Sequence, residues 1–221
     1  MILHYDIQDI VPYINWLYFY HAWSMNGKSE TAKLQLRKDA EEMLHTWEGC
    51  YHTHAVFGLF DANSDGDDLI LGDKRLPMLR QQKPKKPGYP NLCLADFVRP
   101  VGKGKDKVGV FATSVDAELQ KAYLHDDYQR MLSQVLADRL AEGTAEKMHE
   151  EVRRNYWGYA PNERLTMEQT HNEQYQGIRP AVGYPSLPDT SINFILNELI
   201  DMKGIGIRLT ESGMMTPHAS V

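Results

Sequence analysis

Ala55-Val-Phe-Gly-Leu-Phe60, answered by Leu69-Ile-Leu71, is the stretch on which the fold turns. The first run is short, apolar and carries a valine and two phenylalanines, so it reads as a buried strand. The second lies across a turn from it, and the pair reads as a hairpin. Leu92 to Val98 and Val108 to Thr113 read as two further strands. All of these precede the longest helical stretch, His125 to Trp157. Strands grouped ahead of long helices predict an α+β fold, not an alternating α/β sheet.

Working outward, Asp9 is placed to cap a helix whose first turn accommodates Pro12. Ile14, Leu17, Tyr18 and His21 would share a face of it, with Asn15 and Trp16 inside it. Ser29 caps a second helix whose apolar set is Leu34, Leu36, Ala40, Met43, Leu44 and Trp47, and Gly49 ends it. In the long helix, Tyr128, Met131, Leu132, Val135 and Leu136 form an apolar stripe, continued at a shifted angle by Met148, Val152 and Tyr156. At about 100° per residue, Glu142 falls roughly 40° from Tyr128, on that stripe. A buried carboxylate needs a partner. Either Glu142 pairs with Arg139 three residues earlier, or it faces a ligand cavity. Thr166-Met-Glu-Gln169 reads as a capping box for a short helix ending near Tyr175. Ser191 caps Ile192–Lys203, with Phe194, Ile195, Leu199 and Met202 inward and Gly204 as the stop. Ile205 to Thr210 reads as the last strand.

The 221 residues are 42% hydrophobic and 24% charged, enough for one large domain with a real core. A formal charge of −6 favours neither nucleic acid nor an anionic membrane as partner. Cys50 and Cys93 are the only cysteines and make no disulfide framework. With no basic, apolar leader and no apolar run of about 18 residues, the cytoplasm is the expected location. Two motifs imitate metal sites. Asp61-Ala-Asn-Ser-Asp-Gly66 resembles half a calcium loop, but Gly72 stands where a bidentate glutamate belongs. Cys50-Tyr-His-Thr-His54 sets three soft ligands at alternate positions without a fourth at zinc spacing. Lys83-Pro-Lys-Lys-Pro-Gly88 is a basic, breaker-rich loop, either solvated or a contact for an acidic partner.

Gly177-Ile-Arg-Pro-Ala-Val-Gly-Tyr-Pro-Ser-Leu-Pro188 is of another kind. Its three prolines bar regular structure and its two glycines permit backbone angles closed to other residues. It also carries one cation, Arg179, one tyrosine, Tyr184, and several apolar residues. Such a segment suits a ligand-binding loop; the alternative is a connector between helices.

Arg179-Pro-Ala-Val-Gly-Tyr184 resembles the R-x-x-x-G-Y motif of the activation domain of cobalamin-dependent methionine synthase. Asn91-Leu-Cys-Leu-Ala-Asp-Phe97, His125-Asp-Asp-Tyr128, Leu136-Ala-Asp-Arg-Leu-Ala-Glu142, Tyr156-Trp-Gly-Tyr-Ala-Pro-Asn162 and Leu209-Thr-Glu-Ser212 resemble it in the same order. Pro217-His-Ala-Ser-Val221 matches its P-x-A-S-V stretch. The fold this implies is α+β, a single domain with a bent antiparallel sheet flanked by helices, over residues 1–221.

The resemblance also implies a function. The family's domain binds S-adenosylmethionine and presents it to cobalamin on a methionine synthase module, while a flavodoxin-like donor supplies an electron, so that inactive cob(II)alamin is reductively methylated. Arg179 would grip the ligand's carboxylate with a bidentate fork. Glu142 and Glu173 suit its positive groups, Tyr184 offers a ring face, and the backbone of Ala181 to Gly183 reads adenine edges. No nucleophile is required of the protein, and no Ser/His/Asp or Cys/His constellation is evident.

Three departures from the family pattern stand out. Asn15 occupies the place of a ligand-contacting aspartate, Thr190 replaces a histidine, and the family's further strand and helix beyond Val221 are missing. No D-x-H-x-x-G corrinoid signature appears, so the chain is expected to be an accessory activation subunit, not a complete enzyme. The alternative is a non-catalytic interaction module that docks on a corrinoid protein without useful S-adenosylmethionine affinity.

Overall fold

A computed structural model of the protein describes residues 1–221, apart from the side chain of Gln120. The fold is α+β, a curled antiparallel sheet flanked by helices. Its spine is a 14-residue strand, β2 (His52–Asp65). On one edge, β2 pairs first with β1 (Ile2–Asp6), from Asp6↔His52 to Ile2↔Val56, and then with β3 (Asp68–Leu71), from Ala62↔Leu71 to Asp65↔Asp68. On the other edge it pairs with β5 (Asp106–Val115), from Thr53↔Val115 to Ala62↔Asp106. β4 (Lys74–Pro77) extends the sheet beyond β3. A strand this long accumulates the right-handed twist, so its two ends present different directions to their partners. Gly58 stands between the two partners. A side chain there would collide with the Phe60 ring, and Ile200 lies just beyond.

Alternation along β2 sends side chains into two apolar layers. Ala55 and Phe57 enter one with Ile7, Ile10, Phe19, Trp47, Leu136 and Leu140. Val56 and Ala62 enter the other with Leu71, Leu76, Cys93, Ile192, Ile200 and Ile205. The first layer is closed by α1 (Ile7–Ile10), α2 (Trp16–Ala22), α3 (Glu30–Trp47) and α4 (Asp127–Glu151). The second is closed by α6 (Ile192–Leu199) and a 3-10 turn at Met202–Ile205.

Several expectations are met residue by residue. Ser29 Oγ accepts from the Ala32 amide at the start of α3. Thr166 and Gln169 form a reciprocal capping box at the start of α5 (Met167–His171). Other readings are corrected. The first helix is broken: α1 gives way to a 3-10 turn over Val11–Tyr13, and Asn15 caps α2 instead of lying within a helix. Leu17 and Tyr18 face solvent, and Phe19 is the buried residue. Leu34 of α3 is likewise exposed. Leu92 to Val98 is not a strand; Asp96 accepts from the Cys93 amide and closes a 3-10 turn over Leu94–Phe97. Asp61 to Asp65 continues β2, and the chain turns only at Gly66 and Asp67. α6 ends at Leu199, Phe194 is exposed on it, and only Arg208–Leu209 of the last expected strand pairs, with Met215–Thr216.

The stripe assigned to α4 is also corrected. Tyr128 and Met131 are 44% and 42% exposed, whereas Leu132, Leu136, Leu140 and Met148 are fully buried. From Leu140 onward small residues alternate with large ones, so neighbours approach closely. A Cβ at Gly143 would lie 3.0 Å from Ile10 Cγ2. Glycine inside a helix costs about 1 kcal/mol relative to alanine, yet here it makes room for the first turn. Gly143→Val is expected to destabilise by about 1–3 kcal/mol through overpacking. Urea unfolding checks it; an unchanged midpoint would show that Ile10 yields freely.

Candidate functional site

The proline-rich loop folds as two tight turns. The Gly183 amide donates to Leu187 O at 2.8 Å, and the Leu187 amide donates to Tyr184 O at 2.8 Å. Gly183 holds φ +90° and Gly177 φ +92°, left-handed angles that favour glycine. At Gly177 a Cβ would also sit 3.0 Å from the Tyr159 hydroxyl. Leu187 is buried and pins the loop to the second apolar layer, while Tyr184 stands 62% exposed at its tip.

Arg179 turns back onto α4. Its Nη2 donates to Glu146 Oε1 at 2.5 Å, with the two side chains 23% and 17% exposed. One half of each group is left over: Arg179 Nη1 and Glu146 Oε2 are both buried and have no hydrogen-bond partner. One turn earlier, Glu142 takes the two-pronged grip of Arg139, at 2.8 and 3.0 Å. Of the two readings open for Glu142, the ion pair is the one present. Desolvation pushes its carboxyl above the usual range, against the pull of Arg139. Glu173, at φ +55°, is exposed beside the loop. Asn15 Oδ1 accepts from the Leu17 amide at 3.1 Å, so its oxygen is occupied as a helix cap. The segment before Asn15 lies on α4: the Tyr13 carbonyl carbon would be 3.5 Å from a Cβ at Gly143. Glu142 and Glu146 on α4, Arg179 paired to Glu146, and the turn ending at Tyr13 thus meet along one stretch of helix, while the described contact of Asn15 is its cap to Leu17.

The sequence reading missed Glu146 and the cluster beneath it. Arg153 is fully buried; its Nε reaches both Glu163 oxygens at 2.9 and 3.0 Å, and its Nη2 reaches Oε1 at 2.5 Å. Its guanidinium lies 4.5 Å from the Tyr175 ring centre, and His149 meets the same ring edge-on at 4.6 Å. A signal was there. Glu142, Glu146, His149 and Arg153 recur at intervals of four, three and four, a polar stripe at helical period along α4 and the turn that follows it.

Burial holds His149 neutral, pushing its pKa down to about 3, with the charges of Arg153 and Arg179 adding to the effect. An unfolded chain takes up this proton near pH 6.5. The contribution to stability is therefore complete above that pH and is lost as pH falls toward 3. Between pH 6 and 4.5 the parent is expected to lose about 2 kcal/mol from this group alone. His149→Leu should remove that part of the slope, as read from urea midpoints at the two pH values; an unchanged slope would place the acid sensitivity elsewhere.

Two surface depressions lie away from the loop, one around Met1, Phe57 and Ile200, the other around His4, His54 and Asp116. In the second, His54 Nε2 lies 2.8 Å from Asp116 Oδ1 and the two histidine Nδ1 atoms lie 2.7 Å apart. Among the described residues, no three His, Cys, Asp or Glu side chains converge as a metal site. Arg179 and Glu146 seat the loop on α4.

The family model for the activation domain of vitamin B12-dependent methionine synthase matches residues 6–221. The chain belongs to that family. Among solved structures, a crystal structure of the MetH reactivation domain bound to AdoHcy superposes with a TM-score of 0.94 at 39% identity, covering all of this chain and 76% of that one. In this activation domain no described helix is long and apolar enough to cross a membrane.

Proposed function

We propose that this activation domain binds S-adenosylmethionine at the Arg179–Tyr184 loop and presents it to a cobalamin-carrying methionine synthase module for reductive methylation of cob(II)alamin. The observation that carries the reading is the buried, unpartnered Nη1 of Arg179, a donor that wants a carboxylate. The AdoHcy bound to the related reactivation domain supports the same ligand class. Bound S-adenosylmethionine supplies an electrophilic methyl group; the protein's share is to bind and orient the molecule. Arg179 holds the carboxylate. Tyr184 offers its exposed ring to the adenine or the sulfonium. Within the turn, the Gly183 amide and Ala181 carbonyl are already bonded, so the remaining backbone groups of Ala181 to Gly183 read the adenine edge. Glu142, Glu173 and Asn15 surround the positive groups. The acceptor is a cobalamin-binding module, the electron comes from a flavodoxin-like donor, and the setting is the cytoplasm.

Calorimetry with S-adenosylmethionine and AdoHcy tests the binding, and titration with a corrinoid module in the cob(II) state tests the docking. Saturable heat in both is expected. Docking without ligand heat would make the domain an interaction module instead.

Asn15→Asp is expected to tighten binding. Aspartate caps a helix as well as asparagine does, so one oxygen keeps the Leu17 amide while the other brings a charge toward the ligand's ammonium. A charge-assisted bond adds about 1–2 kcal/mol over a neutral one, about five- to thirty-fold in affinity. The gain should shrink with salt. Unchanged calorimetric affinity would mean that residue 15 does not touch the ligand.

A further inference from the structure

We infer that Glu146 and Arg179 act together as a receptor for a zwitterionic α-amino acid, with Glu146, one turn beyond Glu142, holding the ammonium. The inference rests on the ligand reading above and names a residue that reading did not require. Arg179 and Glu146 share a single contact, Nη2 to Oε1. A guanidinium and a carboxylate would ordinarily close a two-pronged pair, as Arg139 and Glu142 do one turn away. Here Arg179 Nη1 and Glu146 Oε2 remain, both shut off from water and both without a partner. Leaving a buried donor and a buried acceptor unsatisfied is costly, and charged groups are the worst case.

The two orphan atoms want opposite things. Nη1 needs an acceptor, preferably a carboxylate, and Oε2 needs a donor, preferably a cation. A zwitterionic amino-acid end carries both, one carbon apart. A simple anion would satisfy Arg179 and repel Glu146; a simple cation would do the reverse. The base of the site is fixed, because Tyr175, which flanks the Arg179–Glu146 pair, rests on buried Arg153 and His149. Neutral His149 brings no competing charge beneath Glu146. Because both atoms are sealed, the Arg179 loop must shift for a ligand to reach them.

The test compares AdoHcy with two analogues, one lacking the amino group and one lacking the carboxylate, by calorimetry on the full chain. In the parent, removing either group should weaken binding at least about tenfold. In Glu146→Gln the penalty for losing the amino group should fall to less than about threefold, while the penalty for losing the carboxylate persists. Glu146→Asp should restore part of the amino-group penalty. A pair that merely holds the loop would weaken all three ligands alike and leave their ratios as in the parent, which would overturn the inference. So would a parent that does not discriminate the desamino analogue, a result that needs no variant to fold. If the parent binds AdoHcy but the ratios do not move in Glu146→Gln, the inference alone fails; if the parent binds none of the three, the ligand reading fails with it.

Discussion

Arg153→Ala is expected to lower the free energy of unfolding by about 3–5 kcal/mol, the cost of leaving one member of a buried ion pair without the other. Arg153 is fully buried and Glu163 nearly so, and three short contacts join them. The truncation leaves a nearly buried carboxylate without its partner and removes the platform under Tyr175. At about 2–4 °C per kcal/mol for a chain of this size, the thermal midpoint should drop by roughly 6–20 °C. Pairing it with Glu163→Ala should recover part of the loss, since the stranded charge is then gone. A single-mutant loss under about 1 kcal/mol would show that water reaches Glu163 and that the pair does not hold the end of α4.

Arg179→Ala should leave the fold largely intact and remove ligand binding. The loop keeps its turn bonds and its buried Leu187, so circular dichroism should change little, while the thermal midpoint should fall because Glu146 loses its partner. Truncating one partner of a desolvated, hydrogen-bonded charge pair costs about 2–5 kcal/mol, or about thirty-fold to several thousand-fold in affinity. Arg179→Lys keeps the charge but not the fork and should fall between parent and alanine. If both variants bind S-adenosylmethionine like the parent, the ligand does not use this loop.

Much of the fold was legible because local and global signals agree. The Ala55–Phe60 run is apolar on both sides because both faces of the sheet are covered. Ser29 and Thr166 do what their side chains do in isolated helices. The errors fall where polar residues found partners far away in sequence. Asp61 to Asp65 reads as a turn, yet it stays extended because Asp61 pairs with Lys105 and Lys107 and the Asn63 amide donates to Arg99 O and Gly104 O. Leu92 to Val98 reads as a strand, yet Arg80 grips Asp96 and the Asp96–Cys93 bond curls the chain. Asn15 lost its place inside a helix because the chain turns after Tyr13 and needs a new cap.

The site was legible in its loop and not in its wall. Glycine, proline and arginine announce the loop by their own chemistry. Glu146 is marked only by its place in a polar stripe, and its importance comes from the fold, which swings Arg179 across 33 residues to meet it. Glu142 drew notice because of its angle to Tyr128, but Tyr128 lies on the surface and Arg139 was within reach.

β2 trades one partner for another at residues 58–61 on one edge, while β5 runs unbroken along the other. Residues 53–56 are enclosed between β1 and β5, and on one face α4 packs over them. Beyond the exchange, the same strand belongs to β3 and β4. Fraying of the β3–β4 end can therefore stop at Gly58, a local opening that spares the half of the sheet bearing α4. Glu142, Glu146, His149 and Arg153 all ride on that protected half, whereas Leu187 anchors the loop that carries Arg179 to the layer containing Leu71 and Leu76, so the Arg179–Glu146 contact ties the two halves together.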